Sequence, residues 1–79
     1  MLGYLFKIHN SDGKSENLGA MGLKDDAEAI AFGKHTIRDL MEGDAKHYSG
    51  WTMDIIEGKR AVSSLLFKFY DHPGHPDHK

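Results

Sequence analysis

The chain has 79 residues, with 10 Lys and Arg against 12 Asp and Glu, a formal charge of −2 and no cysteine. That length holds one hydrophobic core and no second domain, the lack of cysteine removes disulfide frameworks and Cys-based zinc sites, and the near-neutral charge argues against a general nucleic-acid binder, which carries a basic excess. No apolar run nears the roughly 18 residues of a membrane span, and the start MLGYLFKIHN lacks the charged region, long apolar core and cleavage site of a signal peptide, so the expectation is a soluble, cytoplasmic protein.

Residues 4–9 alternate. Tyr4, Phe6 and Ile8 fall on one face, Leu5, Lys7 and His9 on the other, and this period of two with aromatic and β-branched side chains predicts a strand. Asn10, Ser11, Asp12 and Gly13 have turn composition, with Gly13 free to take a positive φ. Residues 14–23 (KSENLGAMGL) carry few large apolar side chains, namely Leu18, Met21 and Leu23. They predict a short, irregular edge strand whose glycines mark a bulge or a close approach of the backbone to something else.

Residues 25–43 (DDAEAIAFGKHTIRDLMEG) form the longest periodic segment. Ala27, Ile30, Gly33 or Lys34, Ile37, Leu40 and Met41 recur at three- and four-residue spacing and predict a helix with one apolar stripe. Asp25 followed by Glu28 reads as a capping box, and both acids suit the positive end of the helix dipole. Gly43 reads as the stop. Glycine inside a helix costs about 1 kcal/mol against alanine, so Gly33 implies either close packing on a sheet or a groove for a partner. His35 falls on the flank away from the stripe.

Residues 44–50 read as a polar connection. Residues 51–57 (WTMDIIE) predict a strand with Trp51, Met53 and Ile55 on one face and Thr52, Asp54 and Ile56 on the other. Glu57, Gly58 and Lys59 make a tight turn into a hairpin strand over residues 61–67, whose facing stays open because Leu65, Leu66 and Phe67 run together. The order of elements predicts an α+β fold: a four-stranded, mainly antiparallel sheet with one helix packed on one face, ββαββ. Residues 1–69 form the single domain, and residues 70–79, rich in His and Pro, form a disordered polar tail. One helix covers one side of such a sheet, so the other side, with Leu5, Lys7, His9, Thr52, Asp54 and Ile56, is left for a second copy or another protein.

The run Leu18-Gly19-x-Met21-x-Leu23-x-Asp25-Asp26, the helix segment Ala29-x-x-Phe32-Gly33-x-x-x-Ile37-Arg38-Asp39-Leu40, then Gly50-Trp51-x-Met53 and Gly58-x-Arg60-x-Val62 carry a resemblance. The chain resembles a family of small rhizobial and alphaproteobacterial proteins built on a domain of unknown function, over residues 4–67. It departs at Leu66, where many members of that family are expected to carry proline. The resemblance supports the size and the fold, and it implies no activity, cofactor or catalytic residue.

Chemistry-bearing patterns are few. His72, His75 and His78 recur every three residues with Asp71 and Asp77 nearby, which are ligand types for Zn²⁺, Ni²⁺ or Cu²⁺. A tail with two prolines and a glycine does not hold ligands in fixed geometry, so the reading is weak tail affinity and no metal centre. Ser49, Ser63 or Ser64 with His47 and Asp54 lack the spacing of a nucleophile motif, and no catalytic residue or cofactor is assigned. Gly19-x-x-Gly22 precedes the helix, but Asp25 and Asp26 at its start would repel an anion. Tyr4, Phe6 and Trp51 could stack bases, yet they share the helix-side face and read as core. The expectation is a non-enzymatic protein-interaction module, in self-association or with a protein partner, through Leu5, Lys7, Ile56 and an edge-exposed Trp51. The alternatives are a nucleic-acid-binding or antitoxin-like regulator, by fold analogy, in which Lys34, Arg38, Lys46, Lys59 and Arg60 would meet, and weak metal binding by the tail.

Overall fold

The computed structural model describes residues 1–68 of the chain. The element order is β1 (Leu2–His9), β2 (Ser15–Leu23), α1 (Asp26–Tyr48), β3 (Thr52–Glu57) and β4 (Arg60–Leu66). The strands form one sheet in the order β2-β1-β3-β4, with every neighbouring pair antiparallel. The predicted ββαββ, α+β architecture is therefore the observed one. The predicted tail and its histidines lie outside the described residues.

Alternation sets the faces. Tyr4, Phe6 and Ile8 of β1 and Met53 and Ile55 of β3 point under the helix and are buried, joined by Trp51, Leu65 and Phe67. Leu66, at 54% exposure, points to the other side. The facing of β4, open from the sequence, is thereby settled: Leu65 and Phe67 are core and Leu66 is not. Both hairpin turns use glycine as expected, Gly13 with φ of 87° and Gly58 with φ of 62°. At the first turn, Asn10 Oδ1 also accepts the N–H groups of Asp12 and Lys14, each at 3.0 Å.

The helix starts as predicted. Asp25 caps it by accepting the Glu28 N–H at 2.9 Å, and Glu28 Oε1 reaches back to the Lys24 N–H at 2.8 Å. Its buried stripe is Ala29, Gly33, Ile37 and Met41, a strict four-residue repeat, whereas Ala27 is exposed. Gly33 resolves in favour of close packing. A Cβ there would sit 3.0 Å from Ile55 Cδ1 and 3.2 Å from both Leu65 Cδ1 and Met53 Sδ.

The helix does not stop at Gly43. Helical geometry breaks at Asp44 (φ −158°, ψ 74°), whose Oδ1 accepts the His47 N–H at 3.2 Å, and one further turn runs to Tyr48. Asp44 thus acts as an internal cap, and residues 45–48 are helix where the sequence predicted a loop. That turn matters for packing. It stacks Tyr48 on Phe67 with ring centroids 5.6 Å apart and sets it edge-on to Trp51 at 5.9 Å.

A charged clamp joins the helix start to the sheet. Arg60, at the head of β4, holds Asp26 through Nη1 to Oδ2 at 2.8 Å and Nη2 to Oδ1 at 2.9 Å, and it also reaches Glu57 at 3.0 Å. The Tyr4 hydroxyl donates to Asp26 Oδ1 at 2.7 Å. Hydrogen bonds from Arg60 and then from Tyr4 lower the Asp26 carboxyl from 3.8 to about 2. Burial, followed by the Asp26 hydrogen bond, pushes the Tyr4 hydroxyl up to about 12. Arg60, one of the cations that would meet on a basic surface, is tied to two acids.

Candidate protein-binding edge and cleft

β2 is an edge strand of nine residues, longer than the short strand expected, and each residue except Leu23 is exposed. The stretch 17–23 (NLGAMGL) contains no charge to repel an incoming strand. One irregularity interrupts it. Phe6 pairs with Gly19 and Lys7 with Asn17, leaving Leu18 as the extra residue of a bulge. Gly19 takes φ of 117° there, and Asn17 Oδ1 accepts its N–H at 2.8 Å. The bulge was legible in the glycines of this segment.

The helix lies over the core of β1, β3 and β4 and leaves the outer strand partly bare. Leu18 is 39% and Met21 41% exposed, and Leu2, on the adjacent end of β1, is 39% exposed. Between β2 and α1 opens a cleft of about 130 Å³ lined by Phe6, Leu18, Gly19, Ala20, Met21, Phe32 and Thr36. Phe6 and Phe32 meet edge-on at 5.2 Å in its wall. The Thr36 hydroxyl donates to the Phe32 carbonyl at 2.9 Å, so the one polar side chain lining the cleft is already bonded within the helix. Such a surface suits an apolar side chain and offers a ligand little polar recognition.

On the face away from the helix, strand registers set residues side by side. Ala20, Leu5, Ile56 and Ala61 are opposite one another in successive strands, and Asn17, Lys7, Asp54 and Ser64 form the next row. Leu5 and Ile56 are half-buried there, and Lys7 is exposed. Three of the four residues expected to meet a partner therefore share this face. Trp51 does not. It is 5% exposed, covered by Tyr48, and its Nε1 donates to the His47 carbonyl at 2.9 Å, so it offers no ring edge to a partner.

The polar groups of this face satisfy one another. Ser64 Oγ donates to Asp54 Oδ1 at 2.6 Å, and His9 Nε2 stands 3.1 Å from Asp54 Oδ2. The carboxylate lies between hydroxyl and imidazole, an order that does not place the imidazole to take the hydroxyl proton. No serine is brought to both His47 and Asp54 among the described residues, because His47 sits beside Tyr48 and Trp51.

Among the described residues, no three His, Cys, Asp or Glu side chains come together to hold a metal ion. His72, His75 and His78 lie outside those residues. Of the cations considered for a basic surface, Arg38 pairs with Glu42 at 3.2 Å and Arg60 with Asp26. No helix among the described residues is long and apolar enough to cross a membrane. No protein-family model, curated protein or solved structure gives a match to this chain.

Proposed function

We propose that this chain is a non-enzymatic protein-interaction module of the cytoplasm whose docking element is the β2 edge with its adjoining cleft. One observation carries the reading. Nine edge-strand residues are left without a second neighbouring strand, uncharged over 17–23, beside an apolar cleft of about 130 Å³ that the helix leaves open. An edge of this kind binds by strand addition. Backbone hydrogen bonds supply affinity, and alternate side chains entering pockets supply selectivity. The row of Leu5 and Ile56 runs to Ala20 on the same edge, so the uncovered face extends the surface. The resemblance to the alphaproteobacterial family of unknown function is proposed as the chain's kinship and adds no activity.

The test is amide shift mapping of the isotope-labelled protein against a panel of short extended peptides that alternate apolar and polar residues. Perturbations confined to β2, Phe32 and Thr36 are expected. Perturbations on β4 alone, or none across the panel, contradict the assignment.

A further inference from the structure

We propose that the partner this edge takes up is a basic, extended peptide, with one apolar side chain seated in the cleft and Lys or Arg at its outer positions. The proposal rests on the reading of β2 as a docking edge and adds the chemistry of the partner. The bulge decides which stretch can pair. Beyond it, Gly19, Met21 and Leu23 lie opposite Phe6, Tyr4 and Leu2 in an unbroken register, so the three share the helix side. An added strand therefore runs along residues 19–23, and its residue opposite Gly19 points the same way, over the cleft. Gly19 has no side chain to fill that space, and no atom lies within 4 Å of where its Cβ would be. A dry cavity of about 150 Å³ holds a benzene ring, so the cleft of about 130 Å³ takes one side chain of about leucine size.

Charge sets the outer positions. Phe32 and Thr36 form the helix wall of the cleft, and residues three or four positions from them lie on the same flank. Glu28, one turn before Phe32, and Asp39, three residues after Thr36, are both exposed there. Glu28 is fixed at the Leu23 end of the strand, because its Oε1 accepts the Lys24 N–H at 2.8 Å. The helix runs from that end toward the row of Thr52, His9 and Ser15, which puts Asp39 at the other. Glu16 lies opposite the buried Ile8, two places beyond Phe6, and so faces the helix side near Asp39. At about 3.4 Å per residue it stands about 7 Å along the strand from the Gly19 row. Among the described residues Glu16 and Glu28 have no ion pair, and Asp39 pairs with His35 at 3.6 Å. Lysine and arginine are absent from Ser15–Leu23 and from residues 28, 32, 35, 36 and 39 of the flank; Lys14 and Lys24 stand outside the strand. The apolar cleft is thus bracketed by carboxylates at both ends. A long cationic side chain at each end of the incoming strand would lay its stem on the apolar wall and reach them with its head.

The test uses three extended peptides with one central leucine that differ only at the outer positions, which carry lysine, glutamine or glutamate. Each is titrated into the isotope-labelled full chain and followed by amide shifts. At low salt the lysine peptide should bind several-fold tighter than the glutamine peptide, and the glutamate peptide weakest. High salt should bring the three together, because these charges are exposed. Glu16→Gln, Glu28→Gln and Asp39→Asn combined should remove the preference and keep the shifts on β2; glutamine at position 28 retains the acceptor of the capping box. Equal affinities at low salt, with shifts on β2, overturn the charge assignment and leave the docking edge standing. A lysine preference that survives the triple exchange overturns the assignment as well. So does a chain that dimerises through β2 and excludes the peptides. Absence of β2 shifts with every peptide overturns the docking edge along with it.

Discussion

Arg60 grips Asp26 with both terminal nitrogens, at 2.8 and 2.9 Å, across 34 positions of sequence. Two parallel N–H···O bonds make this the strongest geometry available to an ion pair. The pair fastens the first turn of α1 to the head of β4, while Tyr4 ties the same carboxylate to β1.

The acid limb of stability should report Asp26. Its carboxyl sits near 2 in the fold against an ordinary 3.8, so the folded state favours the ionised form. The resulting stabilisation is complete above about pH 4 and is lost as pH falls through 2. Urea midpoints between pH 5 and pH 2 should fall more steeply for the unaltered chain than for Asp26→Asn, which starts lower. Parallel slopes would remove Asp26 from this role. Arg60→Lys should also lower stability at pH 7, because an ammonium cannot reproduce the fork.

The alkaline limb should report Tyr4. Its hydroxyl ionises near 12 in the fold against 10.0 ordinarily, so the unfolded chain loses its proton first. Stability present below pH 10 should decline between pH 10 and 12. Tyr4→Phe should be less stable at pH 7 and should lose the part of the alkaline decline that this hydroxyl causes.

Gly33→Ala is expected to destabilise, against its helix propensity. Alanine gains about 1 kcal/mol as a helix former, while overpacking a filled core costs about 1–3 kcal/mol. The new methyl would press on Ile55, Leu65 and Met53 at once, and Ile55 and Met53 are fully buried with nowhere to retreat. The net expectation is a loss of about 1 kcal/mol, read as a lower melting temperature. A rise would show that those side-chain ends give way freely. Gly43→Ala, with open space around its Cβ position, should instead stabilise by about 1 kcal/mol.

Met21→Asp should separate association from folding. The side chain is 41% exposed, so its replacement should cost stability on the surface scale, about 0.5 kcal/mol. A carboxylate placed at an apolar cleft should abolish association. Equal binding or self-association by the variant would move the interface away from β2.

Much of the fold was legible because strict alternation leaves few choices. Tyr4, Phe6 and Ile8, like Trp51, Met53 and Ile55, could share one face only if residues 4–9 and 51–57 were strands, and they are buried together. The phase of the helix was read slightly off, on Ala27, because small residues at 27 and 29 are equivalent to a hydropathy pattern; contact of Gly33 with Ile55 fixes Ala29 as the inward residue. Gly43 looked like a terminator because glycine usually follows a helix in the left-handed conformation. Here its φ is not positive, and Asp44 restarts the helix by capping it. Trp51 was misplaced for the same reason, since only that added turn brings Tyr48 over it. The Arg60–Asp26 clamp had no local signature, being a contact between distant segments. At β2 the glycines and the scarcity of large apolar side chains marked an edge, but the cleft beside it depends on how far the helix leans over the sheet, which no local pattern encodes.

The most direct test of the central claim is amide hydrogen exchange of the full chain with and without a saturating extended peptide from the titration panel. Strand addition at β2 predicts that amides of Ser15–Leu23 gain protection while those of Arg60–Leu66 stay unchanged. No gain at β2 with any peptide, or a gain confined to β4, would contradict it.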